Sequence, residues 1–121
     1  MLLTVFLLVA LMACGNEASY QQINAEEAHA MMTEETDFVL MDVREQSEYE
    51  EGHISGAVLL PVRAIDQDSA QNVIPGQDTL VLVYCRSGNR SKTASQTLAD
   101  LGYTQVYEFG GIMDWPYDIE E

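Results

Sequence analysis

The residues most able to do chemistry form one stretch of seven, residues 85–91, which reads CRSGNRS. It follows an apolar run at 79–84 and precedes a helix-like pattern at 92–101. A short polar loop between a strand and a helix directs several backbone N–H groups at one point. Such N–H groups and nearby arginines lower the pKa of a cysteine, and the thiolate is its nucleophilic form. The stretch therefore predicts that Cys85 is reactive.

Positive charge is scarce in this chain and is concentrated in the same loop. The 121 residues include 5 Lys or Arg against 20 Asp or Glu, which gives a formal net charge of -15. Arg86, Arg90 and Lys92 are three of those five cations. The acidic excess argues against nucleic acid and against a polybasic membrane surface. Because salt screens charges beyond about 8 Å, we expect the local cations to attract a small anion despite the acidic surface.

The elements that position the loop follow from alternating apolar and helix-forming segments. Strands are predicted at residues 20–23, 38–43, 57–60, 79–84 and 105–109, and helices at 24–32, 47–51, 62–68 and 92–101. This alternation is typical of an α/β fold with a parallel sheet. Ligands bind at the carboxyl ends of such strands. Asp42 and Cys85 both lie at strand ends, so we expect them to be neighbours.

Several boundaries have local signals. Asn24 and Glu27 fit a capping box at the first helix, and Ser91 is predicted to be the N-cap of the last helix. Residues 72–78 are predicted to form a turn. The acidic tail at 118–121 is expected to be loose.

The N-terminus predicts a separate targeting segment. Residues 1–13 are almost wholly apolar and uncharged, too short to span a bilayer, and typical of a secretory signal. They end in LMACG at 11–15, which resembles the lipobox of bacterial lipoproteins but lacks a basic segment before it. The resemblance implies cleavage before Cys14, a lipid on Cys14 and a linker at 14–19. We expect an exported protein of the bacterial envelope, facing the periplasm, with that lipid as its only membrane contact. The alternative is a buried N-terminal strand or helix.

The loop and its surroundings resemble the rhodanese-like sulfurtransferases. Residues 85–91 are similar to the active-site loop of that family, residues 42–57 to its amino-terminal signature, and Gly110, Gly111 and Trp115 to its carboxyl-terminal signature. The resemblance spans residues 20–117. It implies a three-layer α/β fold, with a five-stranded parallel sheet and helices on both faces.

The same resemblance implies the roles of individual residues. Sulfane sulfur would pass from an anionic donor such as thiosulfate to cyanide or a thiol, through a persulfide on Cys85. The loop would cradle the terminal sulfur and bind the donor with Arg86, Ser87, Gly88, Asn89, Arg90 and Ser91. Asp42 and Arg44 would pair and support the loops. No cofactor is implied, and the chain shows no metal-ligand spacing. If Cys14 carries a lipid, Cys85 is the only thiol and its sulfur must go to an external acceptor.

Two other functions remain open. A binding module of the same fold would hold a persulfide, or none, with little turnover. A cysteine phosphatase or arsenate reductase would need a loop that fits a tetrahedral oxyanion. Those enzymes have five residues between the cysteine and the arginine, whereas four separate Cys85 from Arg90. The shorter loop favours sulfur.

Overall fold

The structure is a computed structural model that describes residues 18–121. Its strands are β1 (Gln21–Gln22), β2 (Phe38–Asp42), β3 (His53–Ile54), β4 (Val58–Leu59), β5 (Leu80–Cys85), β6 (Gln105–Gly111) and β7 (Ile119–Glu120). Its α-helices are α1 (Ala25–Glu34), α2 (Gln46–Glu51), α3 (Gln67–Val73) and α4 (Asn89–Asp100). Two short 3₁₀ helices lie at Val62–Ala64 and Ile112–Asp114. Among these described residues, no helix is long and apolar enough to cross a membrane.

Five strands form one parallel sheet in the order β1-β6-β5-β2-β4. The central strand β5 is buried on both faces, as its unbroken apolar run predicts. Its carboxyl end lies beside that of β2, where Asp42 pairs in register with Tyr84. The predicted five-stranded α/β fold is confirmed, and so is the expected proximity of the two strand ends.

Helices cover both faces of the sheet, each over its own apolar cluster. On one face α3 and α4 pack on β5 and β2 through residues such as Ala70, Leu98 and Val83. On the other face α1 contributes Ala28 and the chain end contributes Trp115. Successive residues of β5 point to opposite faces. Cys85 therefore lies on the α4 side, and Tyr84 lies on the other.

Some boundaries differ from the sequence prediction. The capping box of Asn24 and Glu27 is present, but the helix predicted at 62–68 is replaced by a 3₁₀ turn followed by α3. Asp66 caps α3 and Ala70 anchors it in the core, so the helix extends into the segment predicted as a turn. The strand predicted at 57–60 is limited to Val58–Leu59, which lies at the sheet edge with Val58 39% exposed.

The tail predicted to be loose is partly ordered. Ile119–Glu120 pairs antiparallel with His53–Ile54 as a separate two-stranded sheet. Backbone hydrogen bonding therefore fixes a segment whose acidic composition alone suggested solvation.

Candidate active site

Cys85 ends β5 as a buried thiol surrounded by hydrogen-bond donors. It is 1% exposed, and the Gly88 backbone N–H donates to Sγ at 3.0 Å. Burial acts to raise the pKa of Cys85. A hydrogen bond with the Ser91 hydroxyl and hydrogen bonds from the N–H groups of Ser91, Gly88 and Ser87 outweigh burial, so this pKa lies below its usual value. The Cys85 sulfur therefore lies among hydrogen-bond donors of its own loop, as the loop sequence predicts.

The start of α4 corrects the role predicted for Ser91. The N-cap is Gly88, whose φ of 116° is in the left-handed region that glycine adopts without strain. The helix consequently begins at Asn89, before the predicted start. Ser91 lies inside the first turn and is 0% exposed. Its side chain does not cap the helix and contacts the cysteine instead.

A bulge between β5 and β6 shapes the loop from the opposite side. Val83 pairs with Glu108 and Cys85 pairs with Gly111, so one β5 residue faces two on β6. A side chain on Gly111 would overlap the Arg86 carbonyl. Strand β6 can approach the loop this closely only because residue 111 is a glycine.

Glu108 is a residue of the site that the sequence analysis missed. It is 2% exposed and lies on the α4 face of the sheet, since it pairs with Val83. Its Oε2 accepts hydrogen bonds from the Ser91 hydroxyl and, at 2.8 Å, from the Gly110 N–H. The Ser91 Oγ in turn lies 3.4 Å from Cys85 Sγ. The sequence does contain one sign of this role. Glu108 is two positions after the apolar Val106, so both side chains point to the same face of the predicted strand.

The two loop arginines have different surroundings. Arg90 donates two hydrogen bonds to Glu48 of α2, at 2.7 and 3.0 Å. These bonds lower the pKa of Glu48 to about 2. Arg86 is exposed and lines a cavity of about 220 Å³ beside the loop, together with Glu51 and Met113. Of the two arginines, Arg86 is therefore the one with no carboxylate partner among the described residues.

Asp42 and Arg44 form the expected supporting pair below the loops. The Arg44 guanidinium donates to both Asp42 oxygens at 2.7–3.1 Å and to the Gly52 carbonyl at 2.7 Å. The Tyr84 hydroxyl donates to Asp42 at 2.7 Å and accepts from the Ile54 N–H at 3.0 Å. Burial, together with the neighbouring Asp42, strongly raises the pKa of Tyr84. This network ties β2, β5 and the β3 region together, and none of its hydrogen bonds involves Cys85.

Ser87, Asn89 and His53 lie at the edge of the site or outside it. Ser87 and Asn89 are exposed on the loop. The His53 Nδ1 lies 2.9 Å from the Tyr49 carbonyl, and its ring stacks on that of Tyr49, which is a structural role. Within residues 18–121 no cluster of three or more His, Cys, Asp or Glu could hold a metal. The predicted lipidation of Cys14 and the cleavage before it concern residues outside the described part of the chain.

Comparison with known proteins agrees with this geometry. The family model for the rhodanese-like domain matches residues 24–117. The thiosulfate sulfurtransferase PspE of Escherichia coli is 34% identical over 74 residues, which are 61% of this chain and 70% of that protein. The thiosulfate sulfurtransferase GlpE of Coxiella burnetii is 35% identical over 97 residues, which are 79% and 87% of the two chains.

Solved structures show the same architecture. A rhodanese-like domain from Anabaena, determined by NMR, has a TM-score of 0.75 at 26% identity and covers 84% of this chain and 80% of its own. A rhodanese with anions from E. coli has a TM-score of 0.63 at 31% identity and covers 69% and 96%. Both likenesses extend over more than two thirds of this chain.

Proposed function

Because the chain belongs to the rhodanese-like domain family, we propose that it transfers sulfane sulfur from thiosulfate to a nucleophilic acceptor through a persulfide on Cys85. The observation that carries the proposal is the buried Cys85 sulfur, which faces the backbone N–H groups of a tight loop. The names of the relatives PspE and GlpE support thiosulfate as the donor. The loop is also shorter than the oxyanion-binding loop of cysteine phosphatases.

In the first step the Cys85 thiolate attacks the outer sulfur of thiosulfate. A Cys85 Sγ–S bond forms, the S–S bond of thiosulfate breaks, and sulfite leaves with that electron pair. The terminal sulfur of the persulfide then carries negative charge. The N–H groups of the loop between Ser87 and Ser91 provide an anion-binding nest for it. Because these N–H donors are already in place before the reaction, they stabilise the negative charge that develops on the terminal sulfur without any rearrangement of the loop.

In the second step the acceptor attacks the terminal sulfur. Cyanide or a thiolate forms a bond to that sulfur, and the Sγ–S bond breaks with return of its electron pair to Cys85. Thiocyanate or a low-molecular-weight persulfide leaves, and the thiolate is regenerated. In this proposal Arg86 binds the anionic donor, because within residues 18–121 it forms no ion pair, whereas Arg90 is paired with Glu48.

The direct test is thiosulfate:cyanide sulfur transfer by the full chain, followed as thiocyanate production. Cys85→Ala is expected to abolish turnover, whereas Cys14→Ser, the matched cysteine control, should retain it. Absence of turnover in the unaltered protein would refute catalysis. Slow release from a loaded Cys85 would favour a persulfide carrier, and turnover of phosphate esters or arsenate would favour the enzymes of the oxyanion class.

A second part of the proposal concerns location. The lipobox-like sequence at 11–15 supports an exported protein that is anchored to a bacterial envelope membrane by a lipid on Cys14. Membrane fractionation of cells that express the full chain tests this part. The unaltered protein should sediment with membranes and Cys14→Ser should not. Identical fractionation of the two proteins would contradict the anchor without affecting the sulfur chemistry.

A further inference from the structure

Two opposite charges line the cavity beside the active-site loop without neutralising each other. The cavity has a volume of about 220 Å³, and its walls include Arg86 of the loop and Glu51 at the end of α2. Both residues are exposed. Within residues 18–121 neither forms an ion pair, either with the other or with a further residue. The cavity therefore offers one unpaired cation and one unpaired anion to a ligand.

The rest of the cavity wall is neutralised or apolar. Arg44 and Glu48, which also line it, are each held in an ion pair with another residue. Met113 is 64% exposed, and its backbone N–H donates to the Arg86 carbonyl at 3.3 Å. An exposed apolar side chain is thus attached directly to the loop. A ligand here would meet one charge of each sign and a flexible apolar surface.

Glu51 opposes the first step of the proposed reaction. Thiosulfate is an anion, and a carboxylate in the cavity where Arg86 binds it lowers its affinity, since like charges repel. The second step differs, because sulfite leaves before the acceptor attacks and Arg86 is then available again. An acceptor that carries a positive group would be attracted by Glu51. The carboxylate at this place is explained if the cavity also serves such a second substrate.

We propose that the acceptor is a small zwitterionic thiol, whose carboxylate binds Arg86 and whose ammonium group binds Glu51. A volume of about 220 Å³ suits a molecule of amino-acid size, since drug-sized ligands occupy pockets of about 300 Å³ or more. The methylene group of the acceptor packs on Met113. This inference rests on the proposed function and names the acceptor of its second step.

The transfer step needs no further reactant. The acceptor loses its thiol proton to solvent, and its thiolate attacks the terminal sulfur of the Cys85 persulfide. An S–S bond forms on the acceptor while the Cys85 Sγ–S bond breaks, and the electron pair of that bond returns to Cys85. The acceptor leaves as a low-molecular-weight persulfide. Glu51 takes no part in these bond changes and determines only which acceptor is bound.

The test follows the loss of sulfur from loaded Cys85 to acceptors that differ in the two charged groups. Full-length protein that carries Cys14→Ser is loaded with thiosulfate, the donor is removed, and the intact mass is followed after an acceptor is added. Removal of the donor separates the second step from donor binding. The acceptors are free cysteine, with both groups, cysteamine, with the ammonium group alone, mercaptopropionate, with the carboxylate alone, and cyanide, with neither.

Each rate is compared with that of the unaltered loop for the same acceptor, so the intrinsic reactivity of each acceptor cancels. Glu51→Gln should slow transfer to free cysteine and cysteamine about threefold, the size expected for an exposed ion pair. It should not slow transfer to mercaptopropionate or cyanide, which are anions without an ammonium group. Arg86→Ala should slow transfer to free cysteine and mercaptopropionate but not to cysteamine. The matched controls Glu50→Gln, an exposed change on α2, and Arg63→Ala should leave these rates unchanged.

The simpler alternative is that Glu51 only repels anions. Glu51→Gln would then speed transfer to mercaptopropionate and cyanide and would slow transfer to no acceptor. That result would overturn the proposal, and so would unchanged rates with free cysteine and cysteamine. An equal slowing by Glu50→Gln would also overturn it, because the overall charge of the protein would then determine the rate.

Cyanide separates the failure of this inference from the failure of the proposed function. Removal of the sulfur by cyanide, without a selective effect of Glu51→Gln, would leave sulfur transfer in place and exclude the zwitterionic acceptor. Failure of Cys85 to take up sulfur from thiosulfate, or to release it to any acceptor, would overturn both.

Discussion

At the scale of single residues, the site is a set of charges and hydrogen bonds around one sulfur. The position of Cys85 at the end of a buried strand, before a tight loop and a helix, could be predicted because glycine, arginines and a helical pattern follow it directly. Glu108 could not, because the register of β6 against β5 depends on a bulge that no local signal marks. The pairing of Arg90 with Glu48 was also missed, since the two residues are 42 positions apart.

Arg86 is expected to determine donor affinity. Replacement of Arg86 by alanine removes the exposed cation that lines the cavity beside the loop, while Cys85 and its donors stay in place. A hydrogen bond to a charged group contributes about 1.5 kcal/mol or more, so KM for thiosulfate should rise about tenfold with little change in kcat. Steady-state kinetics measure both quantities.

Arg63→Ala is the matched control for this change, because Arg63 is 82% exposed and lies on a different segment. It should leave KM unchanged. An equal rise in KM for both substitutions would mean that thiosulfate binding depends on the overall charge of the protein and not on Arg86.

At the scale of elements, the loop is held between the end of β5, the start of α4 and the bulge in β6. Alternation of apolar and helical segments predicted all five strands of the main sheet. It failed where single contacts decide a boundary, as at Gly88, which starts α4 before its predicted N-cap. It also failed at the tail, where β7 forms by pairing with β3.

Gly111→Ala tests the close approach of β6 to the loop. The added methyl group would overlap the Arg86 carbonyl, so the loop must move and its N–H groups leave the sulfur. We expect turnover to fall by at least about 100-fold, as displaced donors to a developing charge cost that much in other enzymes.

Gly76→Ala is the control for this change, because its nearest neighbours would be at an ordinary 3.6 Å. It should keep full activity. If Gly111→Ala also kept full activity, the loop could not depend on this contact. The urea midpoint of each variant shows whether the fold survives.

At the scale of the whole molecule, an acidic chain concentrates its few cations around one site. Of the five Lys and Arg residues, Arg44 and Arg90 pair with carboxylates next to the loops and thereby join separate elements. Net charge predicted the exclusion of nucleic acid, but it could not show which cations are paired. That distinction depends on side chains from α2 and α4 meeting in the folded chain.

The ion pair of Glu48 and Arg90 should make the free energy of unfolding depend on pH at low pH. The pKa of Glu48 is about 2 in the folded chain, against an ordinary 4.5. As the pH falls, the unfolded chain therefore takes up this proton first, and the contribution is present above about pH 4.5 and lost towards about pH 2. The free energy of unfolding should decrease more steeply over this range in the unaltered protein than in Glu48→Gln.

Urea unfolding at a series of pH values measures this difference, with Glu51→Gln, an exposed change on the same helix, as the control. The control should follow the unaltered protein. A gap between the unaltered protein and Glu48→Gln that stays constant with pH would contradict the assignment.

The most direct test of the central claim is the intact mass of the protein after reaction with thiosulfate. Persulfide formation predicts the gain of one sulfur atom, localised to Cys85 by peptide mapping, absent in Cys85→Ala and removed stoichiometrically by cyanide as thiocyanate. An unchanged mass, or a sulfur that persists in Cys85→Ala, would contradict it.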